Sequence, residues 1–306
     1  MRYGAQSSPR AVMSECVGSS SIVSFGNTAA LEALSEFARR YPRLFVLTGA
    51  GVSTASGIPG YRDATGEWMR AQPIQLKDFL GCEQARSRYW ARSMIGWPTL
   101  SDAHPNVAHR ALARLAAAGR IGRLVTQNVD GLHQRAGSRE VIELHGSINV
   151  VECLDCGAQH RRAAIQQTLA RDNPTLVAAV AAPLADGDAH LDCSDLSRFR
   201  VPTCPHCGGL LKPSVVFFGE NVPRERVEAA SRGLEAADAM LVVGSSLMVY
   251  SGYRFCLKAS RAGMPIAAIN IGRTRADPLL SLKIEAPCAD ALAVLAQQLA
   301  GYFSDC

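Results

Sequence analysis

The residues best suited to chemistry in this chain follow two short apolar runs, Ile121–Val125 and Val141–Leu144. The first run leads into a polar cluster formed by Gln127, Asn128 and Asp130. The second run ends directly before His145. Polar side chains at the ends of buried strands lie where an α/β sheet keeps its active site. We therefore predict a site at one sheet edge, with His145 as a candidate base, because a neutral imidazole near pH 7 can take a hydroxyl proton.

A lone histidine after a strand is more often a hydrogen-bonded structural residue than a base. The neighbouring Asn128 and Asp130 favour the catalytic interpretation of His145, since they could orient a ribose or hold a carboxamide. We interpret His109 and His133 as structural residues of helices or loops.

Two C-x-x-C pairs, Cys153/Cys156 and Cys204/Cys207, give the strongest metal signal in the chain. Four thiolates suit a tetrahedral zinc ion, and four protein ligands leave no open position for a substrate. The gap between the pairs exceeds the ~15–20 residues usual for a zinc ribbon, so the site must tolerate an insert. We predict one structural zinc. The alternatives are unrelated redox pairs or plain buried cysteines.

A glycine turn, Gly49-Ala50-Gly51, follows the apolar strand candidate Leu44–Leu47. Glycines let backbone N–H groups approach a phosphate, although Thr54 stands where a full dinucleotide fingerprint has its third glycine. The turn continues through hydroxyls, flexible joints and a cation at Ser53, Ser56, Gly57, Ile58, Pro59, Tyr61 and Arg62. Further polar turns follow other strands at Gly244-Ser245-Ser246 and Asn270-Ile271-Gly272. In a doubly wound fold these turns converge on one crevice that a dinucleotide can fill.

The elements that must position these residues alternate along the chain. Helices are predicted from Thr28 to Pro42, from His104-Pro105 to Gly119, and over Pro223–Ala237, Ser251–Ala262 and Ala289–Leu299. The other predicted strands are Val215–Phe218, Met240–Val243 and Pro265–Ile271. This rhythm predicts an α/β fold with a Rossmann-like, doubly wound parallel sheet and an inserted small zinc-ribbon domain. The predicted units are a tail at 1–27, a large domain at 28–149 and 213–302, a zinc domain at 150–212, and an irregular, flexible pocket segment at 64–100.

Composition limits the partners. The chain has 306 residues and a net charge of +5, with no long basic run, which does not favour nucleic acid. No stretch approaches the ~20 apolar residues of a membrane helix. The cysteine usage suits a reducing compartment, so a cytoplasmic protein is expected, with the mitochondrial matrix as the alternative for a Ser-rich, acid-poor N-terminus.

Together these motifs resemble the sirtuin family of NAD-dependent protein-lysine deacylases. The likeness is carried by GAGVSTASGIPGYRD at 49–63, TQNVDGLH at 126–133, ELHG at 143–146, the cysteine pairs, KPSVVFFGE at 212–220, GSS at 244–246 and NIG at 270–272. A closer likeness to the class II branch, which includes an animal mitochondrial sirtuin, lies in RYWAR at 88–92 and VYSGYRF at 249–255.

The resemblance implies that NAD and an acyl-lysine protein meet in a cleft, that nicotinamide leaves, and that the acyl group passes to ADP-ribose. It implies that His145 is the base, with Asn128, Asp130 and Arg62 in catalytic roles. The cofactor-binding set it implies adds Gln127, Val129 and Cys288 to the glycine and serine turns named above. It also implies that Val216, Phe217, Phe218, Gly219 and Glu220 pair with the substrate backbone as an added strand. One zinc and a monomeric enzyme are expected.

Tyr89 and Arg92 form a Y-x-x-R pair one helical turn apart. Sirtuins that remove succinyl groups grip the acyl carboxylate with such a pair, and an Arg fork suits that task. The prediction is a preference for long or acidic acyl groups over acetyl. The other interpretation is that Tyr89 packs beneath the loop and Arg92 forms a surface ion pair.

Three other functions use parts of the same pattern. A mono-ADP-ribosyltransferase would share the cleft, a dehydrogenase would favour a complete glycine fingerprint, and a zinc-bearing interaction module would need no base. Loss of turnover in His145→Ala with retention of the fold separates an enzyme from a binding module.

Overall fold

Helices and strands alternate along most of the chain. The computed structural model describes residues 21–24, 28–61, 63, 65, 67, 69, 73–176 and 196–300. The strands are β1 (Ser21–Ser24), β2 (Leu44–Thr48), β3 (Ile121–Thr126), β4 (Val141–Glu143), β5 (Gly146–Cys153), β6 (Gln159–Arg161), β7 (Leu211–Val215), β8 (Ala239–Val243), β9 (Ile266–Ile269) and β10 (Leu282–Glu285). The α-helices are α1 (Thr28–Arg40), α2 (Leu76–Gly81), α3 (Glu83–Asp102), α4 (Val107–Ala117), α5 (Leu132–Arg135), α6 (Arg162–Asp172), α7 (Arg224–Glu235), α8 (Tyr250–Arg261) and α9 (Cys288–Ala300).

The large sheet has seven parallel strands in the order β1-β10-β9-β8-β2-β3-β4. Every residue of β2, β8 and β9 is buried, as expected when helices cover both faces of a parallel sheet. One core layer contains residues of α1, α4 and α9, and the other contains residues of α7 and α8. The predicted doubly wound α/β fold is therefore confirmed. The strand order reverses at β2, so its carboxyl end is where such folds bind ligands.

A small antiparallel sheet, in the order β6-β5-β7, holds the four cysteines at one end. Its strands begin at Gly146 and end at Val215, so β5 and β7 extend a few residues beyond the predicted limits of 150–212. The chain thus enters this sheet directly from His145. α6 belongs to this unit, and most of the insert that follows it lies outside the described residues.

The segment 64–100 was predicted to be irregular, and from residue 76 onward this prediction is wrong. α2 and α3 occupy that part. The 20-residue α3 runs through Pro98. Proline removes one helical donor, which would leave the Met94 carbonyl without a partner. The Gln166 amide nitrogen donates to that carbonyl at 2.7 Å. Arg162, fully buried against the rings of Trp90 and Trp97, supports the preceding carbonyl of Ser93 at 3.2 Å.

Other boundaries differ by a few residues. α4 begins at Val107 instead of at His104-Pro105, because Asn106 caps it with its side chain accepting from the Ala108 N–H. The strand predicted over Val215–Phe218 ends at Val215. The tail at 1–27 was predicted to be disordered, but residues 21–24 of it form β1, which pairs with β10. β10, with Lys283 and Glu285 in its sequence, was not predicted either. Among the described residues, no helix is long and apolar enough to cross a membrane.

Candidate functional site

A cleft of about 810 Å³ opens at the carboxyl ends of the parallel strands. Most of the residues predicted to bind a cofactor line it: Gly49, Ala50, Gly51, Pro59, Tyr61, Gln127, Asn128, Val129, Gly244, Ser245, Ser246, Asn270, Ile271 and Cys288. His145 lies in the same wall, as do Tyr89 and the loop Val216–Glu220. The sheet therefore brings together residues that are far apart in the sequence, as the convergence of strand ends predicted.

The glycine turn after β2 owes its composition to close packing against the turn after β8. A Cβ atom on Gly49 would lie 2.7 Å from the Ser245 Cβ, and one on Gly51 would lie 2.8 Å from the Gly244 Cα. The N–H groups of Gly49 and Gly51 donate to the carbonyls of Val243 and Gly244 at 3.0 and 2.8 Å. These two N–H groups are thus engaged within the protein, and the phosphate contact of this turn stays a prediction.

The turn also leads into two short 3₁₀ segments, Ala50–Val52 and Thr54–Ser56, in place of a long helix. Gly57 ends the second segment with a left-handed backbone, φ 83°. The dipole expected at the start of a long helix is therefore reduced here.

Ser53 is the centre of a buried polar cluster below the cleft floor. Its hydroxyl donates to the Asp130 carboxylate at 2.8 Å and accepts from the Asn128 amide at 3.0 Å. The second Asp130 oxygen accepts from the Leu132 N–H at 2.9 Å. His109 lies 3.4 Å from the Ser53 hydroxyl through Nε2. Asn128 reaches the cleft, whereas Ser53 and Asp130 do not line it, so the carboxylate acts on the cleft through its neighbours.

Several other predicted cofactor residues lie away from the cleft lining. Ile58 is buried in an apolar cluster with Leu132 and Ile148. Ser56 accepts from the Asn106 amide at 3.0 Å. Gly57 and Gly272 are absent from the described lining, and Arg62 lies outside the described residues.

The His145 ring is held at both nitrogens. Nδ1 lies 2.8 Å from the Gln127 carbonyl oxygen, and Nε2 lies 2.7 Å from the Ser251 hydroxyl. A carbonyl can only accept, so Nδ1 carries the proton and Nε2 presents its lone pair to Ser251. Burial lowers the pKa of His145 to about 4, with the Gln127 carbonyl opposing and the charges of Arg226 and Arg254 adding to the shift. The imidazole is therefore neutral near pH 7.

The backbone around His145 is equally constrained. Gly146 has φ 85°, and a Cβ atom there would overlap the Ser214 carbonyl oxygen. Gly252, in the first turn of α8, lets that helix approach Gln127, since a Cβ there would lie 2.5 Å from the Gln127 Oε1. Gln127 in turn donates to the Ser245 hydroxyl at 2.8 Å. His145, Gln127 and the serine turn therefore form one connected unit.

The loop Val216–Glu220 also lines the cleft. The Val216 N–H donates to the His145 carbonyl at 2.8 Å, which fixes the start of the loop beside the base. Glu220 accepts from the Phe217 N–H at 2.8 Å and pairs with Lys212 at 3.0 Å. The loop is thus a held turn instead of the strand predicted there.

Tyr89 and Arg92 both lie in α3, one helical turn apart, but only Tyr89 belongs to the described cleft lining. Tyr89 lines the cleft, is only 8% exposed, and packs its ring on Phe79 and Phe217 at centroid distances of 5.5 and 5.2 Å. Arg92 is half-buried and does not belong to the described cleft lining. The inner end of the cleft is therefore aromatic.

The four paired cysteines form a compact cluster at the end of the small sheet. Their sulfur atoms all lie within 4.8 Å of one another, with Cys153–Cys207 at 3.5 Å and Cys156–Cys204 at 3.8 Å. A tetrahedron with Zn–S bonds of about 2.3 Å has edges of about 3.8 Å, so the donor set fits zinc. None of the four is in a disulfide. The cluster stands apart from the cleft lining, as a structural site would.

Sequence reasoning missed Ser251 and Arg254, both of which line the cleft from α8. Their pattern is that of an ordinary amphipathic helix, and the contact from Ser251 to His145 spans 106 residues. His109 and His133 are buried, and burial lowers their pKa values to about 4 and about 3.

Comparison with known proteins identifies the family. The Sir2 family model matches residues 49–251. The chain belongs to the Sir2 family. It is 59% identical over 263 residues to an NAD-dependent protein deacetylase of Bordetella bronchiseptica, covering 86% of this chain and 96% of that relative. It is 60% identical over 265 residues to an NAD-dependent protein deacetylase of Xanthomonas campestris, covering 87% and 90%.

Solved structures agree with this family. A Sir2 homologue in complex with NAD is 32% identical, with a TM-score of 0.65, over 88% of this chain and 93% of that one. A Sir2 complex with a p53 peptide and NAD⁺ is 28% identical, with a TM-score of 0.67, over 86% and 95%. As in Sir2 structures, this chain combines a large parallel sheet with a small antiparallel sheet that carries the cysteine cluster.

Proposed function

We propose that this chain removes acyl groups from protein lysines, with NAD as the co-substrate and His145 as the base. The chain is an NAD-dependent protein deacetylase by family, and the finer assignments below are our own. The observation that carries the proposal is the state of His145. Its Nδ1–H is committed to the Gln127 carbonyl and its Nε2 lone pair faces the cleft wall at Ser251.

In this proposal the Nε2 lone pair takes a proton from a ribose hydroxyl of NAD, which displaces Ser251 as its partner. A base acts best when its pKa lies near the working pH. The pKa of His145 in the free protein, about 4, is low for that task. The diphosphate of bound NAD carries negative charge, and a nearby anion raises an imidazole pKa. Binding the co-substrate thus brings the base toward its working range.

The remaining predicted residues are assigned to binding and positioning. Asn128, which donates to the Ser53 hydroxyl, holds the ribose. Asp130 accepts from the same hydroxyl and so fixes the positions of Ser53 and Asn128. The loop Val216–Glu220 offers backbone groups to an extended substrate segment between itself and α8. The four cysteines hold a structural zinc that keeps β5 and β7 together. Because β5 begins next to His145, the zinc also supports the position of that residue.

The acyl preference is proposed to extend beyond acetyl. Support comes from Tyr89 and Phe217, which line the cleft and pack on the buried Phe79, because such an aromatic wall suits a long acyl chain. The Y-x-x-R pair supports a carboxylated chain only if Arg92 turns toward the cleft. Arg92→Ala should then lower activity on glutaryl-lysine selectively, and equal losses on acetyl-lysine and glutaryl-lysine would contradict this preference. The motifs at 88–92 and 249–255 support the assignment of the chain to the class II branch of the family.

The test is a panel of acyl-lysine peptides incubated with NAD, with free nicotinamide and O-acyl-ADP-ribose measured by mass. Deacylation yields both products and free lysine. A peptide that gains the mass of ADP-ribose indicates the alternative, mono-ADP-ribosyl transfer. NADH absorbance without nicotinamide release indicates a dehydrogenase. His145→Ala should abolish product formation while the far-UV circular dichroism remains that of the unchanged protein.

A further inference from the structure

Arg254 is a cation in the cleft wall whose role the proposed reaction leaves open. It lies one turn after Tyr250 and Ser251 on α8, and all three line the cleft. Its guanidinium lies 5.2 Å from the centre of the Tyr250 ring. Its Nε–H is buried and has no hydrogen-bond partner within the described part of the chain. A buried donor without an acceptor is costly and rare in folded proteins.

The acidic residues that line the described part of the cleft are already engaged. The described lining of the cleft includes two acidic residues, Asp63 and Glu220. Asp63 accepts from the backbone N–H groups of Thr65 and Glu67 at 2.9 and 3.0 Å. Glu220 pairs with Lys212 at 3.0 Å. Neither carboxylate is paired with Arg254, so the cleft holds a guanidinium ready for an anion that comes from outside the described chain.

The position of Arg254 and Tyr250 in the cleft indicates which part of a substrate could supply the anion that binds this arginine. Tyr250 is 55% exposed and its neighbour Val249 is 37% exposed, so this part of α8 lies at the mouth of the cleft. The aromatic inner wall, by contrast, is closed by Tyr89, which is 8% exposed. A substrate segment must enter through the mouth, whereas its acyl group lies inside. An anion at the mouth therefore belongs to the polypeptide that carries the acyl-lysine.

We propose that Arg254, supported by the Tyr250 ring, binds an acidic side chain of the protein substrate next to the acyl-lysine. This inference rests on the proposed deacylase function and adds a sequence preference to it. A guanidinium offers a planar fork that matches a carboxylate with two parallel hydrogen bonds. Stacking on Tyr250 keeps the fork in place before the substrate arrives. Because an extended segment advances ~3.3 Å per residue, an acid within a few residues of the lysine can reach the fork.

The test uses matched acetyl-lysine peptides in which one flanking position at a time is Asp, Asn or Lys. The unchanged protein should show a lower KM for one Asp peptide than for its Asn counterpart, with similar kcat. Arg254→Gln should raise the KM of that Asp peptide about ten- to a hundredfold, the usual effect of losing a charged hydrogen-bond partner. The Asn peptide should change little. Arg254→Glu should reverse the order and favour the Lys peptide.

Two controls separate this role from general charge and from the other anions. Arg261→Gln makes the same charge change on α8 at an exposed position outside the cleft lining, and should keep the Asp preference. The KM for NAD, measured with the Asn peptide, should stay within about twofold in Arg254→Gln. A large rise in that KM would overturn the inference in favour of a co-substrate contact. A selective loss on glutaryl-lysine in the Asn peptide would overturn it in favour of the acyl group.

The outcome also separates this inference from the deacylase proposal. Turnover of the Asn peptide without any Asp preference in the unchanged protein would refute the role of Arg254 alone. Absence of nicotinamide release on every peptide would refute the deacylase proposal. In that case fluorescence anisotropy of labelled Asp and Asn peptides still measures binding to the unchanged protein and to Arg254→Gln. Arg254→Lys, which keeps the charge but loses the fork, replaces Arg254→Gln if the latter does not fold.

Discussion

The two ends of β5 differ in how the chain builds them. At one end His145 enters a cleft assembled from the ends of β2, β3, β8 and β9, and its partner Ser251 is 106 residues away. At the other end Cys153 joins a cluster made of two local C-x-x-C pairs. The four sulfur atoms of this cluster lie close together, in an arrangement that fits ligands of one zinc ion. The cleft instead holds a neutral imidazole and a guanidinium that has no ion-pair partner among the described residues.

This difference separates stability from function along a single strand. Four ligands around zinc leave no position for a substrate, so the cysteine end can only hold the small sheet together. The cleft end has groups that are still able to change partners, as we propose for Nε2 of His145 and Ser251. Perturbing one end should therefore change the fold, and perturbing the other should change the chemistry.

Removal of zinc should have the largest effect. Structural zinc contributes about 10–16 kcal/mol of apparent binding free energy in zinc-finger peptides, and that energy is coupled to folding. We expect Cys153→Ser, or chelation, to release the metal, lower the melting temperature and abolish turnover. Measured zinc content, circular dichroism and nicotinamide release check this. Cys82→Ser, at an isolated thiol, should leave all three unchanged. Full zinc content in Cys153→Ser would contradict the assignment of this ligand.

His145→Ala should leave the cysteine end intact and remove the chemistry. Loss of a general base costs about 10²–10⁴-fold in rate. We expect kcat to fall by that factor while zinc content and melting temperature stay close to those of the unchanged protein. His104→Ala, at an exposed histidine outside the cleft lining, is the matched control and should keep full activity. If His145→Ala also loses zinc, the two ends of β5 are not independent.

The sequence predicts the cysteine end more completely than the cleft, for a physical reason. Ligand pairs separated by two residues are visible in a local pattern. The contact of Ser251 with His145 instead exists only once β4 and β8, which have β2 and β3 between them, belong to one sheet. Buried strands such as β2 and β8 are also visible as short apolar runs. β10 escapes because Lys283 interrupts it, and only its ion pairs with Asp277 and Glu285 make the buried lysine tolerable.

α3 shows a second limit of local patterns. Pro98 and Gly96 are typical signs of a helix break, yet the helix continues because Gln166 and Arg162 of another helix support its carbonyls. No pattern near Pro98 reveals those partners. The same reasoning applies to Gly49 and Gly51, whose sequence suggests a phosphate contact. Their structural requirement is close packing against Gly244 and Ser245.

Ser251→Ala should produce a smaller change than His145→Ala, and it tests whether the cleft end is poised by hydrogen bonding. The hydroxyl donates to Nε2 of His145, and one such bond contributes about 0.5–1.5 kcal/mol. We expect kcat/KM for NAD to fall about two- to tenfold, because the ring loses one of its two supports in the free protein before the ribose hydroxyl takes the place of Ser251. Ser251→Thr, which keeps the hydroxyl, should recover most of the rate. No recovery in Ser251→Thr together with a lowered melting temperature would indicate a packing role alone.

The pH dependence of kcat/KM should show the smallest change, and its flatness is the informative result. The pKa of His145 in the free protein is about 4, and activity requires the neutral ring. As pH falls from 7 to 5, kcat/KM should therefore stay nearly constant, and it should decline tenfold per unit only below about 4. An imidazole with an ordinary pKa near 6.5 would already lose about thirtyfold by pH 5.

The profile of kcat should differ from that of kcat/KM, because it reports the base with NAD bound. A negative diphosphate raises the imidazole pKa, so the acid limb of kcat should lie at higher pH than that of kcat/KM. His133, whose pKa burial lowers to about 3, binds a proton more readily in the unfolded chain. Stability therefore falls as pH drops below the unfolded value near 6.5, and circular dichroism must confirm the fold at each pH. Coincident acid limbs for kcat and kcat/KM would mean that NAD leaves His145 unchanged, and that the base is set by the protein alone.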